Sequence, residues 1–130
     1  MSALSNYSEK LLLDWLMTTG AATRPTAWYV ALYTAAPSDS GGGTEVSGSG
    51  YARKTATFDA AATPGGTTSN NNTISFTASG GSWGTVTHIG IFDALTTGNL
   101  LWHGALTASK TVGDGDTLEF AIGNIDLTVA

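Results

Sequence analysis

His88 and His103 have the widest chemical repertoire in this chain, because an imidazole can bind a metal ion or move a proton near neutral pH. If Val86 to Phe92 and Asn99 to Leu106 pair as a hairpin across the loop Asp93 to Gly98, one register sets Ile91 opposite Leu100 and Ile89 opposite Trp102. The same register makes the two histidines cross-strand partners. A metal site needs further ligands converging on such a pair, and no HExxH, carboxylate cluster or cysteine lies nearby in sequence. A structural pair is the simpler reading. Asp114, Gly115 and Asp116 look like the start of a calcium loop, but the rest of that loop, including its twelfth-position glutamate, is missing. A tight turn entering a strand at Thr117 needs only Asp and Gly there, and Glu119 then faces solvent. None of the many serines sits in a GxSxG elbow, and Gly41 to Gly50 lacks the lysine and following helix of a phosphate-binding loop. The sequence thus presents no catalytic, cofactor-binding or metal-ligating set, and a non-enzymatic role is expected.

Contact chemistry is better represented. Trp83 follows two glycines and stands between Ser82 and Gly84, where it can plug a core, fill a pocket on a partner or stack on a sugar ring. Arg53 and Lys54 are two of only five basic side chains and suit either intersubunit ion pairs or plain solvation. Trp15, Glu45, Tyr51, Arg53 and Trp83, with the loop from Ala35 to Gly50, form the expected protein-contact set.

These residues need a scaffold, and the hydrophobic periodicity supplies one. From residue 4 to 18, Leu4, Tyr7, Leu11 and Trp15, with the adjacent Leu12 and Leu16, recur at three- and four-residue spacing, which predicts a helix. Ser5 or Asn6 can cap it, Glu9 suits its positive end and Gly20 stops it. Its apolar face can dock on the chain's own sheet, the commoner arrangement, or on another subunit. After Pro25 the period becomes two. Trp28, Val30 and Leu32 alternate with Tyr29, Ala31 and Tyr33, as in a central strand apolar on both faces. Ala35 to Gly50 reads as a long Ser- and Gly-rich loop, Tyr51 to Phe58 as a strand and Asp59 to Asn72 as a second polar loop with Pro64, Gly65 and Gly66. A short strand follows at Thr73 to Ala78, with Ile74 and Phe76 inward. After the hairpin come a turn-rich link from Thr107 to Gly115, a strand from Asp116 to Ile122 with Leu118, Phe120 and Ile122 inward, and a closing strand carrying Ile125, Leu127 and Val129. The predicted fold is mainly β: an antiparallel β-sandwich or flattened barrel of six to eight short strands over residues 26–130, with one N-terminal amphipathic helix. Internal repeats and heptads are absent, which argues against a coiled-coil or β-helical shaft.

With 130 residues, one domain over 1–130 is expected. Apolar residues make up 42% and charged residues 12% of the chain, so its polar surface is built from Gly, Ser, Thr, Ala and Asn. A net charge of −5 with few basic residues argues against a nucleic-acid partner. The absence of cysteine removes disulfide, thiolate-metal and cysteine-nucleophile chemistry. No run approaches the ~20 apolar residues of a membrane span, and no export signal is evident, so synthesis in a host cytoplasm and no membrane partner are expected.

Three segments carry a family likeness. The opening LSNYSEKLLLDWL, the run YVALYT with the Gly-rich TEVSGSGYAR that follows it, and the hairpin from THIGIFD to LLWHGAL resemble small virion proteins of tailed phages, variously labelled tail-fibre-like, minor capsid or decoration proteins. The likeness spans nearly the whole chain. It implies a structural role in the virion, with no active-site residue to carry over. A compact domain without a shaft or repeated array favours a capsid decoration, or cement, protein that self-associates as a homotrimer and clamps the major capsid protein or another virion protein. The alternatives are a tail-fibre or tail-tip attachment protein and a glycan-binding module.

Overall fold

Alternating apolar side chains on both faces of β2 (Trp28–Ala35) put that strand inside the larger sheet of the computed structural model, which describes residues 2–62 and 65–129. Val30 and Leu32 face the main core, while Ala31 and Tyr33 form a smaller apolar cluster on the other face with Phe92 and Leu100. Along one edge β2 pairs with β7 (Gly84–Phe92). Along the other it pairs with β3 (Thr44–Glu45) and β4 (Lys54–Ala56), one at each end. Beyond β7 come β8 (Leu100–Val112) and then β1 (Ser2–Leu4), and every pairing is antiparallel.

Two short ladders make the opposing layer: β6 (Ile74–Thr77) with β9 (Thr117–Phe120), and β5 (Thr67–Ser69) with β10 (Asp126–Thr128). Ile74, Phe76, Leu118, Phe120, Ile125 and Leu127 pack from this side onto Val30, Leu32, Val86, Ile91 and Val112. The result, among the described residues, is an open sandwich of ten strands, with the larger sheet ending at β1 and at β3 and β4 rather than closing into a barrel. The additional strands beyond six to eight are very short. β3 and β5 lie in stretches that read as loops, where two or three residues are too few to display a period.

Several boundaries depart from expectation. The helix α1 starts at Asn6, not at residue 4, and ends at Met17, because Leu4 is taken up by β1 and Ser5 is the N-cap, its Oγ accepting from Ser8 N at 3.2 Å. The strand read over Tyr51 to Phe58 shrinks to Lys54–Ala56, and β8 runs on to the buried Val112 through the stretch read as a link. Ile122 is 63% exposed, since β9 stops at Phe120 and the chain turns through Ala121 to Asn124, with Asn124 N donating to Ala121 O. Val129 is also exposed. Pro64 of the second polar loop lies outside the described residues.

The hairpin register is shifted by two residues. Ile91 lies opposite Trp102, His88 opposite Ala105 and His103 opposite Gly90, so the histidines are not partners. Asp93 fixes this closure by accepting from Asn99 N at 2.7 Å and Asn99 Nδ2 at 2.9 Å. A slip of two leaves every side chain on its own face, so apolar alternation cannot discriminate between the two registers.

Candidate functional site

Glu45, Tyr51, Arg53 and Trp83, drawn from three segments of sequence, come together at the edge where β3 and β4 flank β2. Arg53 donates from Nε to Glu45 Oε2 and from Nη2 to Glu45 Oε1, both at 2.9 Å, and Tyr51 Oη donates to Glu45 Oε2 at 2.7 Å. Tyr51 Oη in turn accepts from Leu32 N at 3.1 Å, which ties the cluster to the central strand. The remaining guanidinium nitrogen, Nη1, donates to the carbonyls of Ala94 at 3.0 Å and Thr97 at 2.7 Å. Thr97 is a β-branched residue with φ of 53°, and the Arg53 bond anchors the carbonyl of that strained turn. The guanidinium also stacks on Phe92, 3.6 Å from the ring centroid.

Electrostatics follow from this geometry. Burial alone would raise the Glu45 carboxyl, but the hydrogen bonds from Arg53 and Tyr51 and the Arg53 charge outweigh it and hold the group below its ordinary value. Burial opposes the Arg53 charge too, and Glu45 more than compensates, so the guanidinium is held still more firmly protonated. Burial, then the neighbouring Glu45 charge, pushes the Tyr33 hydroxyl up to about 12, and burial followed by its bond to Glu45 raises Tyr51 as well. Each member of this network is engaged by the others or by backbone groups of neighbouring segments. Its chemistry is that of a clamp.

Trp83 is 7% exposed and belongs to the main core, its ring edge-on to Tyr51 at 5.6 Å and its Nε1 donating to the carbonyls of Gly48 and Ser49. It is therefore the core plug among the three roles open to it, and its indole face is not presented to a sugar. Arg53 is likewise buried, not solvated, because it is the cation that neutralises Glu45 beneath the 94–97 turn. Trp15 stands apart from this cluster, 66% exposed on α1.

The other candidate residues are engaged elsewhere. His103 Nε2 bonds Asp39 Oδ1 at 2.7 Å, and His88 Nδ1 bonds Thr87 Oγ1 at 2.8 Å. Asp114 Oδ1 accepts from Gly80 N, and Asp116 Oδ2 from Gly113 N, so both carboxylates shape turns. Among the described residues no group of three or more His, Asp or Glu converges as a metal site would require, and no helix is long and apolar enough to cross a membrane.

Two features escaped the sequence reading. Asn70 is fully buried within the run Ser69-Asn70-Asn71-Asn72, whose composition says only that it is polar. α1 is also apolar beyond the face read from the sequence: Leu13 and Met17 are more than half exposed, as is Leu16 of that face. A helical wheel drawn for Leu13 and Met17 as well as the core face would have shown it.

No curated protein matches the chain. The family model described as podophage GP4 fiber I protein gp80 matches residues 3–128, so the chain belongs to this family of phage virion structural proteins, as its resemblance to small tailed-phage virion proteins implied.

Proposed function

We propose that the chain is a fibre subunit of a podophage tail, working without catalysis by presenting a rigid sandwich to copies of itself and to neighbouring tail proteins. The family match over residues 3–128 carries this reading and favours the tail over capsid decoration, which compactness and the lack of a shaft had suggested. The chemistry of the site is consistent with it: the charged and aromatic side chains at the β3–β4 edge are spent on each other and stiffen the scaffold. Localising an epitope-tagged copy on purified virions by electron microscopy tests it. Label at the tail, with a copy number that is a small multiple of the tail's symmetry, is the expected result. Label distributed over the shell lattice would return the decoration reading.

A further inference from the structure

The second half of α1 is apolar almost all round, and a helix of that kind ordinarily lies buried. Ser8, Leu11, Leu12 and Trp15 follow the side nearest the sheet, yet Ser8 is the one buried residue of the helix among those described. Glu9, Leu13 and Leu16 share the adjoining side at four- and three-residue spacing, with Leu16 next to Leu12. Leu13, Trp15, Leu16 and Met17 are 59, 66, 60 and 75% exposed. One of them, Trp15, also lines an apolar groove between α1 and the larger sheet, together with Leu11, Leu12, Arg24, Trp28 and Trp102.

We infer that this face is where a second copy of the chain binds, the Trp15–Met17 end of each helix entering the groove of the other. Two observations select a second copy as the occupant. One is area: the four side chains expose roughly 400–500 Å² of apolar surface, and an isologous contact doubles this to about 1,000 Å² with the groove still uncounted, which meets the threshold for a specific interface. The other is charge. Lys10 pairs with Asp14 on the helix itself, whereas the side chains of Glu9 and Arg24 have no partner among the described residues. An antiparallel two-fold packing of α1 brings Glu9 of each copy toward the far end of the other helix, beside Trp15 and Arg24, so opposite charges meet at both ends of the apolar contact. The inference stands independently of where in the virion the chain is located.

Analytical ultracentrifugation of the full chain over a concentration series tests it. The expected result is concentration-dependent self-association that Leu16→Glu abolishes while circular dichroism and the melting temperature of the monomer stay unchanged. Glu9→Arg and Arg24→Glu should each weaken association, and the double variant E9R/R24E should restore it. A wild-type chain monomeric up to its solubility limit would overturn the inference. So would association indifferent to Leu16→Glu, or a monomer that joins only a different virion protein or binds phosphatidylglycerol vesicles through α1.

Discussion

The Arg53 guanidinium is sandwiched between the Glu45 carboxylate, which it grips with two 2.9 Å bonds, and the Phe92 ring 3.6 Å from its centre. One side chain thereby links β3, the end of β7 and the 94–97 turn. Removing it leaves Glu45 partly buried without its counter-charge and two turn carbonyls without donors. Arg53→Ala should therefore cost about 2–3 kcal/mol, below the range for a fully buried pair because the Glu45 side chain keeps 27% exposure, measured by urea denaturation. Arg53→Lys should recover only part, since an ammonium cannot make the bidentate bond and reach Ala94 and Thr97 together.

The lowered Glu45 value makes stability fall in acid. Its unfolded form titrates at the ordinary glutamate value, about 4, and its folded form below that. The unfolded chain therefore binds the proton first, and the stabilisation present above about pH 4 is lost as pH drops through the folded value. Denaturation midpoints measured from pH 7 down to 3 should decline, and Glu45→Gln, which cannot titrate, should flatten that limb while lowering stability at neutral pH.

At the alkaline end the sign reverses. Tyr33, pushed up to about 12 by burial and then by Glu45, stays protonated in the folded chain after the unfolded chain has begun to ionise near its ordinary value, about 10. Its contribution is fully present below about pH 10 and is lost as pH rises toward 12. Tyr33→Phe should make thermal stability less steep over that interval, while Tyr51 continues to contribute to the remaining slope.

Gly90 sits where the smaller apolar cluster closes on β7. A Cβ there would lie 2.9 Å from Leu100 Cδ1, 3.1 Å from Tyr33 Cε2 and 3.2 Å from Phe92 Cε1. The leucine methyl can move, but both rings are held in the cluster, Phe92 by the guanidinium above it. Gly90→Ala should destabilise by about 1–3 kcal/mol through overpacking, seen as a lower urea midpoint with an unchanged slope.

How far the sequence carries is clearest from single residues. Ile74, Phe76, Leu118 and Leu127 alternate with polar neighbours, so their strands and inward sides were legible, as was the central place of β2. The β7–β8 register was not, because a two-residue slip preserves every face and only the Asp93–Asn99 closure decides it. For the site, choosing Glu45, Tyr51, Arg53 and Trp83 found residues that meet in space. Their engagement with one another was hidden, since pairing between positions six to thirty-two residues apart depends on the sheet order that positions them.

Asn70 shows the same limit and yields the sharpest test of the C-terminal layer. Its Nδ2 donates to the carbonyls of Asn72 and Ala121 at 2.8 and 3.0 Å, and its Oδ1 accepts from Ile125 N at 2.8 Å. Its backbone N donates to Ile125 O and its carbonyl accepts from Gly123 N. One fully buried amide thus fixes the 121–125 turn against β5 and aims Ile125 and Leu127 into the main core. Asn70→Ala keeps the backbone bonds but strands one buried N–H and leaves two carbonyls short of a donor, for a loss of about 2–4 kcal/mol. Asn70→Asp should be at least as damaging, because it replaces both donors with a buried negative charge facing the same carbonyls. Hydrogen exchange separates this from a general loss of packing: protection should fall first at Gly123 and Ile125 while amides of β2 and β7 hold. A uniform decline across both layers would show that Asn70 braces the whole sandwich rather than this turn.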